Sequence, residues 1–240
     1  MAMSKEAPIS EHIEELVHRI NVALIALIIC SILCIPLVPH AVKFMRKELL
    51  PSDIEVVALN PFDNIIALFE VAFTLGFILA FPVILYEALK FITPALYGHE
   101  LKLLYWILPL GLFLFLLGVL IGFKLILPTM YAFCSEVLLG QSTIFSLRAF
   151  IEYTILLLLS FGVAFELPLI MAMLSWFNIA SIEAFKENRM IAYIVLALIG
   201  IILLTPEATT LLDVLATALM IGLYELGIFI SAIVKRKNRE

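Results

Sequence analysis

Long apolar runs constrain this chain more than any other feature, because they exclude a water-soluble fold. Hydrophobic residues make up 64% of the 240 positions, and the mean hydropathy is +1.15. The hydrocarbon core of a bilayer takes about 20 apolar residues per spanning helix. We therefore predict an all-α integral membrane protein, one polytopic domain over residues 1–240, with six spans: about 20–38, 65–86, 104–127, 151–175, 190–204 and 210–234.

Prolines and span lengths shape this predicted bundle. Pro82, Pro109 and Pro168 lie inside or near the ends of spans, where each removes a backbone donor and favours a kink. Kinked spans can leave a concave surface between them. The fifth run, between Arg189 and Pro206, covers only about 24 Å at 1.5 Å per residue. Short fifth and sixth spans predict a locally thinned bilayer, unless flanking side chains reach out to the interface instead.

The basic residues predict the orientation. With six spans both termini lie on one side, and cytoplasmic termini put ten of the 15 basic residues in the cytoplasm. This asymmetry follows the positive-inside rule. The basic tail 235–240, "KRKNRE", is then an orientation signal and not a nucleic-acid-binding segment. The five basic residues left on the external side are Lys43, Arg46, Lys47, Lys124 and Arg148.

An acidic amphipathic segment precedes the first span. Residues 8–19, "PISEHIEELVHR", place apolar residues at helical spacing and predict a short helix along the cytoplasmic interface. Acids of this helix, with Glu87 and Glu100 of the first cytoplasmic loop, form either a solvated face with local pairs such as Glu15–Arg19 or a negative patch for a basic peptide. A carboxylate can accept a guanidinium through two parallel hydrogen bonds.

Carboxylates inside the apolar runs form a second group. Glu166 is the deepest, in "FGVAFELPL" at 161–169, and Asp213 and Glu225 lie in the last run. Each costs roughly 2.5–3.5 kcal/mol on insertion scales. Glu166 is either protonated or bonded to a neighbouring Ser or Thr, or it faces a wet concavity that admits a polar ligand.

Motifs for catalysis are missing from the sequence. It contains no GxSxG, HExxH, GxxxxGK[ST] or GxGxxG, and its four histidines have no ligand spacing. We predict no catalytic residue, no metal and no cofactor. An alternative function is a secondary transporter or proton pathway through Glu166, with Glu225 or Asp213 as relay, although no inverted repeat supports it.

Four stretches resemble the TatC family, the multi-spanning receptor of the twin-arginine protein translocase, and they follow one another along the chain in the order that the family has. They are "FPVILYEALKFITPALYGHE" (81–100), "ISEHIEEL" with Arg19, "FGVAFELP" (161–168), and "LLTPE" (203–207) followed by "LYELGIF" (223–229). The second is similar to the family's H-x-x-E-L-R-x-R signature and the third to its F-G-x-x-F-E-x-P motif. The resemblance covers roughly residues 8–234.

The resemblance implies a function and a glove-shaped fold in the cytoplasmic (inner) membrane. Such a receptor binds twin-arginine signal peptides of folded cargo and recruits single-span subunits of the TatA and TatB type, with transport driven by the proton-motive force. Contacts with membrane lipids and self-association are further expectations; nucleic acid is not.

The same resemblance assigns residues by position. Glu15 and Glu100 match the acids that recognise the arginine pair, and Phe91, Pro94 and Tyr97 match the loop that shapes their site. Arg19 positions the acidic helix or holds a lipid phosphate. Glu166 lines a groove in which the signal peptide or a partner helix can rest. The partner-contact candidates are Glu207, Asp213 and Glu225.

Two positions depart from the family pattern. Val17 stands where the signature usually has arginine. After Pro206 the family often continues with an aspartate, whereas this chain has Glu207 and places Asp213 later. Either acid can take that role.

Overall fold

Helices dominate the computed structural model, which describes residues 9–51, 54–92, 101–137, 144–177, 179–200 and 210–237. Two short strands, β1 (Glu55–Val57) and β2 (Ile144–Ser146), pair in parallel. The α-helices are α1 (Ile9–Cys34), α2 (Val38–Leu49), α3 (Asp63–Ile92), α4 (Leu101–Ile121), α5 (Leu127–Val137), α6 (Leu147–Ala164), α7 (Leu167–Trp176), α8 (Ile182–Glu187), α9 (Arg189–Ile199) and α10 (Thr210–Lys237).

The apolar stretches confirm an all-helical membrane protein. Within the described residues five stretches are long and apolar enough to span: Ile13–Leu49, Asp63–Phe91, Ile107–Phe133, Leu147–Trp176 and Val214–Ile233. The predicted fifth span corresponds to α9, a shorter apolar helix of 11 residues. The predicted sixth span, 210–234, corresponds to α10, whose apolar stretch is Val214–Ile233. α10 has 28 residues, because it continues past the apolar run through basic residues that water can solvate.

The N-terminal segment also differs from the prediction. The expected interfacial helix 8–19 is not separate from the first span, because α1 is continuous from Ile9 to Cys34. No glycine or proline interrupts those residues, so nothing stops helix propagation between the polar and apolar parts. Pro36 lies in the 3₁₀ turn Ile35–Leu37 that follows, and α2 begins directly after it. A further helix, α5, lies between the predicted spans 104–127 and 151–175.

Contacts divide the chain into two compact units. The first contains Met1–His40 and Leu68–Leu112, and the second contains Ala41–Ala67 and Phe113–Glu240. In the first unit α1 packs against α3. A Cβ added at Gly76 would lie 2.3 Å from Oγ and 2.5 Å from Cα of Ser31, so only a glycine allows this approach. Arg19 of α1 also bonds Glu87 of α3. Since the earlier residue of α1 meets the later residue of α3, the two helices are antiparallel.

Glycines mediate close packing in the second unit as well. A Cβ added at Gly118 would lie 2.4 Å from the carbonyl oxygen of Phe161, and one at Gly162 would lie 2.6 Å from the ring of Phe115. A Cβ added at Gly227 of α10 would lie 2.5 Å from Sδ of Met171 in α7. Small residues at such crossings let transmembrane backbones approach closely. The second unit therefore holds α6 and α7 between α4 and α10.

We predict that Gly76→Ala destabilises the purified chain, since the new methyl would overlap backbone atoms of Ser31. Overpacking of this kind costs about 1–3 kcal/mol. The matched control is Gly222→Ala in α10, where an added Cβ meets nothing within 4 Å. It should leave the midpoint unchanged or raise it slightly, because alanine favours a helix. Denaturation midpoints in detergent measure both, and equal midpoints for the two variants would contradict the α1–α3 packing.

Candidate functional site

An ion-pair cluster joins α1 to α3 in the first unit. Nη2 of Arg19 donates to Oε1 of Glu15 one turn earlier, which confirms the predicted local pair. Nη1 of Arg19 donates to Oε2 of Glu87 at 3.2 Å, a contact that spans 68 positions of sequence. One guanidinium therefore serves two carboxylates. Glu87, placed in a loop by the sequence analysis, lies within α3.

The side chains of these three residues differ in the fraction that is exposed. The side chains of Arg19 and Glu87 are 12% and 13% exposed, whereas that of Glu15 is 29% exposed. Two carboxylates and one guanidinium leave a formal charge of −1, and the neighbouring Glu14 is exposed. The cluster is therefore acidic, and Glu15 is the more exposed of its two carboxylates.

Phe91 lies at the same level of the helix pair as Glu15. The antiparallel contact places Arg19 beside Glu87, and Glu15 and Phe91 each lie four residues further toward the same end. Phe91 is half-buried, and Val17 is exposed. The other predicted residues of this site are Pro94, Tyr97 and Glu100, and all three lie outside the described residues.

Glu166 lies at a break in the fourth span. α6 ends at Ala164 and α7 begins at Leu167, with Glu166 in the turn between them. Pro168 explains the break, because proline lacks an N–H and its ring clashes with the carbonyl four residues earlier, that of Ala164. The N–H of Glu166 bonds instead to the carbonyl of Val163 at 3.0 Å.

Packing around this turn buries the carboxyl group. Glu166 is 7% exposed, and its Oε1 is buried with no hydrogen-bond partner among the described residues. The adjacent Phe165 is 6% exposed and packs against Gly118. The alternative in which a described Ser or Thr satisfies Glu166 is therefore not observed. A buried polar atom without a partner costs about 1–3 kcal/mol, so Glu166 lowers the stability of the fold in this position.

Glu225 contrasts with Glu166, because the chain supplies its partners. Oε2 of Glu225 accepts from Nη2 of Arg189 at 2.8 Å, and Oε1 accepts from the hydroxyl of Tyr193 at 2.5 Å. This cluster, which joins the first turns of α9 to α10, was not predicted from the sequence. Two positions separate Glu225 from Gly227, which faces α7, so Glu225 is rotated by about 200° to the other side of α10. This arrangement speaks against a direct relay between Glu166 and Glu225.

The side chains of the other two acids predicted from the sequence lie outside the part of the chain that the structure describes. Asp213 lies in α10, with its side chain outside the described part of the chain, and Glu207 lies outside it altogether. No three His, Cys, Asp or Glu side chains within the described ranges are close enough to hold a metal ion.

Comparison with known proteins identifies the family to which this chain is similar. The family described as "Sec-independent protein translocase protein (TatC)" matches residues 11–218. The chain is 29% identical to the protein of that name from Aquifex aeolicus (strain VF5), over 97% of this chain and 98% of the relative. It is 30% identical to the one from Listeria innocua (95% and 93% covered), and 26% identical to the one from Escherichia coli K12 (100% and 95%).

Solved structures agree with the sequence relatives. A crystal structure described as "Twin Arginine Translocase Receptor- TatC" superposes with a TM-score of 0.83 at 28% identity. The match covers 93% of this chain and 99% of the solved chain. A second structure of the same receptor, in the detergent DDM, also gives 0.83.

Replacing Glu166 by methionine should stabilise the purified chain by about 1–3 kcal/mol, because methionine fills similar space without an unsatisfied oxygen. The control is Thr154→Val. Oγ1 of Thr154 is fully buried and bonds the hydroxyl of Tyr131 at 2.9 Å and the carbonyl of Phe150 at 2.6 Å. That variant should lose about 1 kcal/mol. Denaturation midpoints in detergent compare the two, and a loss for Glu166→Met as large as for Thr154→Val would reveal an internal partner of Glu166.

Proposed function

The chain belongs to the TatC family of Sec-independent protein translocase proteins, and we propose that it is the receptor subunit that binds twin-arginine signal peptides. Its relatives are components of protein transport, and the chain is not an enzyme. The observation that carries the proposal is the bridge from Arg19 to Glu15 and Glu87.

This bridge supports guanidinium binding at this end of the α1–α3 pair. It shows a guanidinium held between carboxylates of two helices, in a cluster whose formal charge is −1. Glu15 is the more exposed of the two acids and remains able to accept further bonds, since a carboxylate offers about four acceptor sites. In this proposal Glu15 receives one signal-peptide arginine and Glu100 receives the other.

Arg19 acts in this mechanism as a positioning residue. Through Glu87 it ties the exposed acid of α1 to the neighbouring helix, which fixes where Glu15 presents its oxygens. Phe91, at the same level, offers a ring edge or face to the arginine stems, and guanidinium groups stack well on aromatic rings. Pro94 and Tyr97 enter the proposal through the family resemblance alone, as residues of the loop that shapes the arginine site.

Glu166 receives a second role in the proposal. Its unpartnered oxygen is suited to a polar group on a transmembrane segment, either of the signal peptide or of a single-span subunit of the TatA or TatB type. Glu207, Asp213 and Glu225 remain candidates for contact with those subunits. The proposed setting is the inner membrane, with both termini cytoplasmic and transport driven by the proton-motive force.

Binding of a fluorescent twin-arginine signal peptide to the detergent-purified chain tests the arginine site. We expect Glu15→Gln and Glu100→Gln each to weaken binding about five- to 150-fold, corresponding to about 1–3 kcal/mol for a partly exposed charged hydrogen bond. A Lys-Lys peptide should also bind more weakly, since lysine keeps the charge but loses the planar fork.

The matched control for these variants is Glu14→Gln, which removes the same charge from an exposed neighbour of Glu15. It should change binding less than twofold. Equal affinity for the Arg-Arg and Lys-Lys peptides, or an equal loss in all three variants, would reduce the site to a general acidic surface.

A double-mutant comparison tests the positioning role of Arg19. Arg19→Gln alone should lower stability by about 1–3 kcal/mol, because it leaves Glu87 nearly buried without a partner. Adding Glu87→Gln should restore most of the stability, since both members of the pair are then neutral. Peptide affinity in the double variant should remain several-fold below that of the native chain, because Arg19 no longer holds Glu15 in position. Recovery of affinity together with stability would show that Arg19 is purely structural.

A further inference from the structure

Basic residues concentrate on one short helix on the side predicted to be external. α2 carries Lys43, Arg46 and Lys47, three of the five basic residues expected there. Positions three and four apart share one face of a helix, so these three cations are neighbours that repel one another. Membrane proteins place most of their basic residues on the cytoplasmic side, so this concentration calls for a physical reason.

The three cations line an open pocket of about 700 Å³ in the second unit. Its other walls come from the segment that follows α2 and from β1, and they include Leu50, Ile54 and Val56. Cationic and apolar surfaces therefore meet in one concavity. Ligand pockets of roughly 300–1,000 Å³ have this character, mostly apolar with a few convergent polar groups.

No acid among the described residues forms a direct ion pair with these cations, although Glu48 attracts the adjacent Lys47 at longer range. None of the three forms a salt bridge with a described residue, and Nε of Arg46 is buried with no hydrogen-bond partner. The nearby Glu48 forms its ion pair with Lys124, whose Nζ lies 2.5 Å from Oε2 of Glu48. Glu55 also lines the pocket but lies on β1 and pairs with none of them. Among the described residues, the pocket thus offers donors and positive charge with no directly paired counter-ion.

Other contacts hold α2 in place, so the pocket has a firm wall. The ring of Phe44 stacks on that of Phe123 with centroids 5.5 Å apart, and Lys124 lies over both rings. Met45 and Leu49 are buried on the opposite face of the helix. The cations are therefore presented by an anchored helix, with the Glu48–Lys124 pair closing the side away from the pocket.

We propose that this pocket binds the phosphate of an anionic phospholipid headgroup from the leaflet on its own side of the membrane. A phosphate oxygen matches the fork of Arg46 and the two lysine ammonium groups. The apolar wall suits the glycerol and the first methylenes of the acyl chains. The membrane favours a lipid over a soluble phosphate, because α2 follows the first span after a turn of three residues.

Lipid binding to the purified full-length chain tests the proposal. Native mass spectrometry would compare short-chain phosphatidylglycerol with phosphatidylcholine of the same acyl chains, on the native chain and on Arg46→Gln. A basic residue at a membrane surface contributes about a fivefold gain in binding of anionic lipid. We expect Arg46→Gln to lose about that factor for phosphatidylglycerol alone, and Lys43→Gln/Arg46→Gln/Lys47→Gln to lose the preference between the lipids.

Two controls make the outcome decisive. Arg148→Gln removes one exposed cation from the same predicted side, outside the pocket, and should change binding less than twofold. Lys43→Arg/Lys47→Arg keeps the charge and should keep the preference, which separates loss of charge from misfolding. Equal binding of both lipids by the native chain, or an equal loss for Arg148→Gln and Arg46→Gln, would overturn the proposal.

Soluble phosphates identify the source of the ligand. Inorganic phosphate and glycerol phosphate, added as competitors, should displace phosphatidylglycerol only at concentrations far above that of the lipid. Displacement at matching concentrations would show that the acyl chains contribute nothing, and it would overturn the lipid as the occupant.

Discussion

Close approach of helices at glycine is the constraint on which the rest of this structure depends. Hydrocarbon is as apolar as leucine, so burial of apolar surface cannot hold transmembrane helices together, and packing must. Gly76 brings α1 against α3, while Gly118, Gly162 and Gly227 bring α4 and α10 against the fourth span. These approaches set the register that places Arg19 beside Glu87 and encloses Glu166.

Within this packing the charged residues fall into two classes. Arg19, Lys124 and Arg189 each find carboxylates supplied by the chain itself, and these pairs join helices. The carboxyl group of Glu166 and the cations that line the α2 pocket find none among the described residues. A charge that the chain satisfies is explained by its own fold. The two proposals assign a molecule outside the chain to each of the two groups that the described chain leaves without a direct partner.

Local patterns account for the parts of this fold that could be predicted from sequence. Apolar run length identified the spans, and Pro168 marked the break in the fourth one. The pair of Glu15 and Arg19 follows from their spacing of four. Contacts between distant segments were out of reach, because no local pattern links Arg19 to Glu87 or Glu48 to Lys124 across 68 and 76 positions. The continuity of α1 was missed for another reason: a change of polarity was taken for a boundary, although a change of polarity alone does not end a helix.

Glu166 and Glu225 show why an acid in an apolar run is not by itself a functional residue. Both carry the same insertion cost, and sequence alone treats them alike. The fold separates them: Glu225 receives a guanidinium and a phenol from α9 and helps to hold the short fifth span against the sixth. Glu166 is nearly buried at a proline-induced turn and receives nothing from the described chain. An unsatisfied buried oxygen lowers stability, whereas the carboxylate of Glu225 is bonded within the chain. This difference in hydrogen bonding, and not depth in the membrane, separates Glu166 as the candidate for a contact outside the chain.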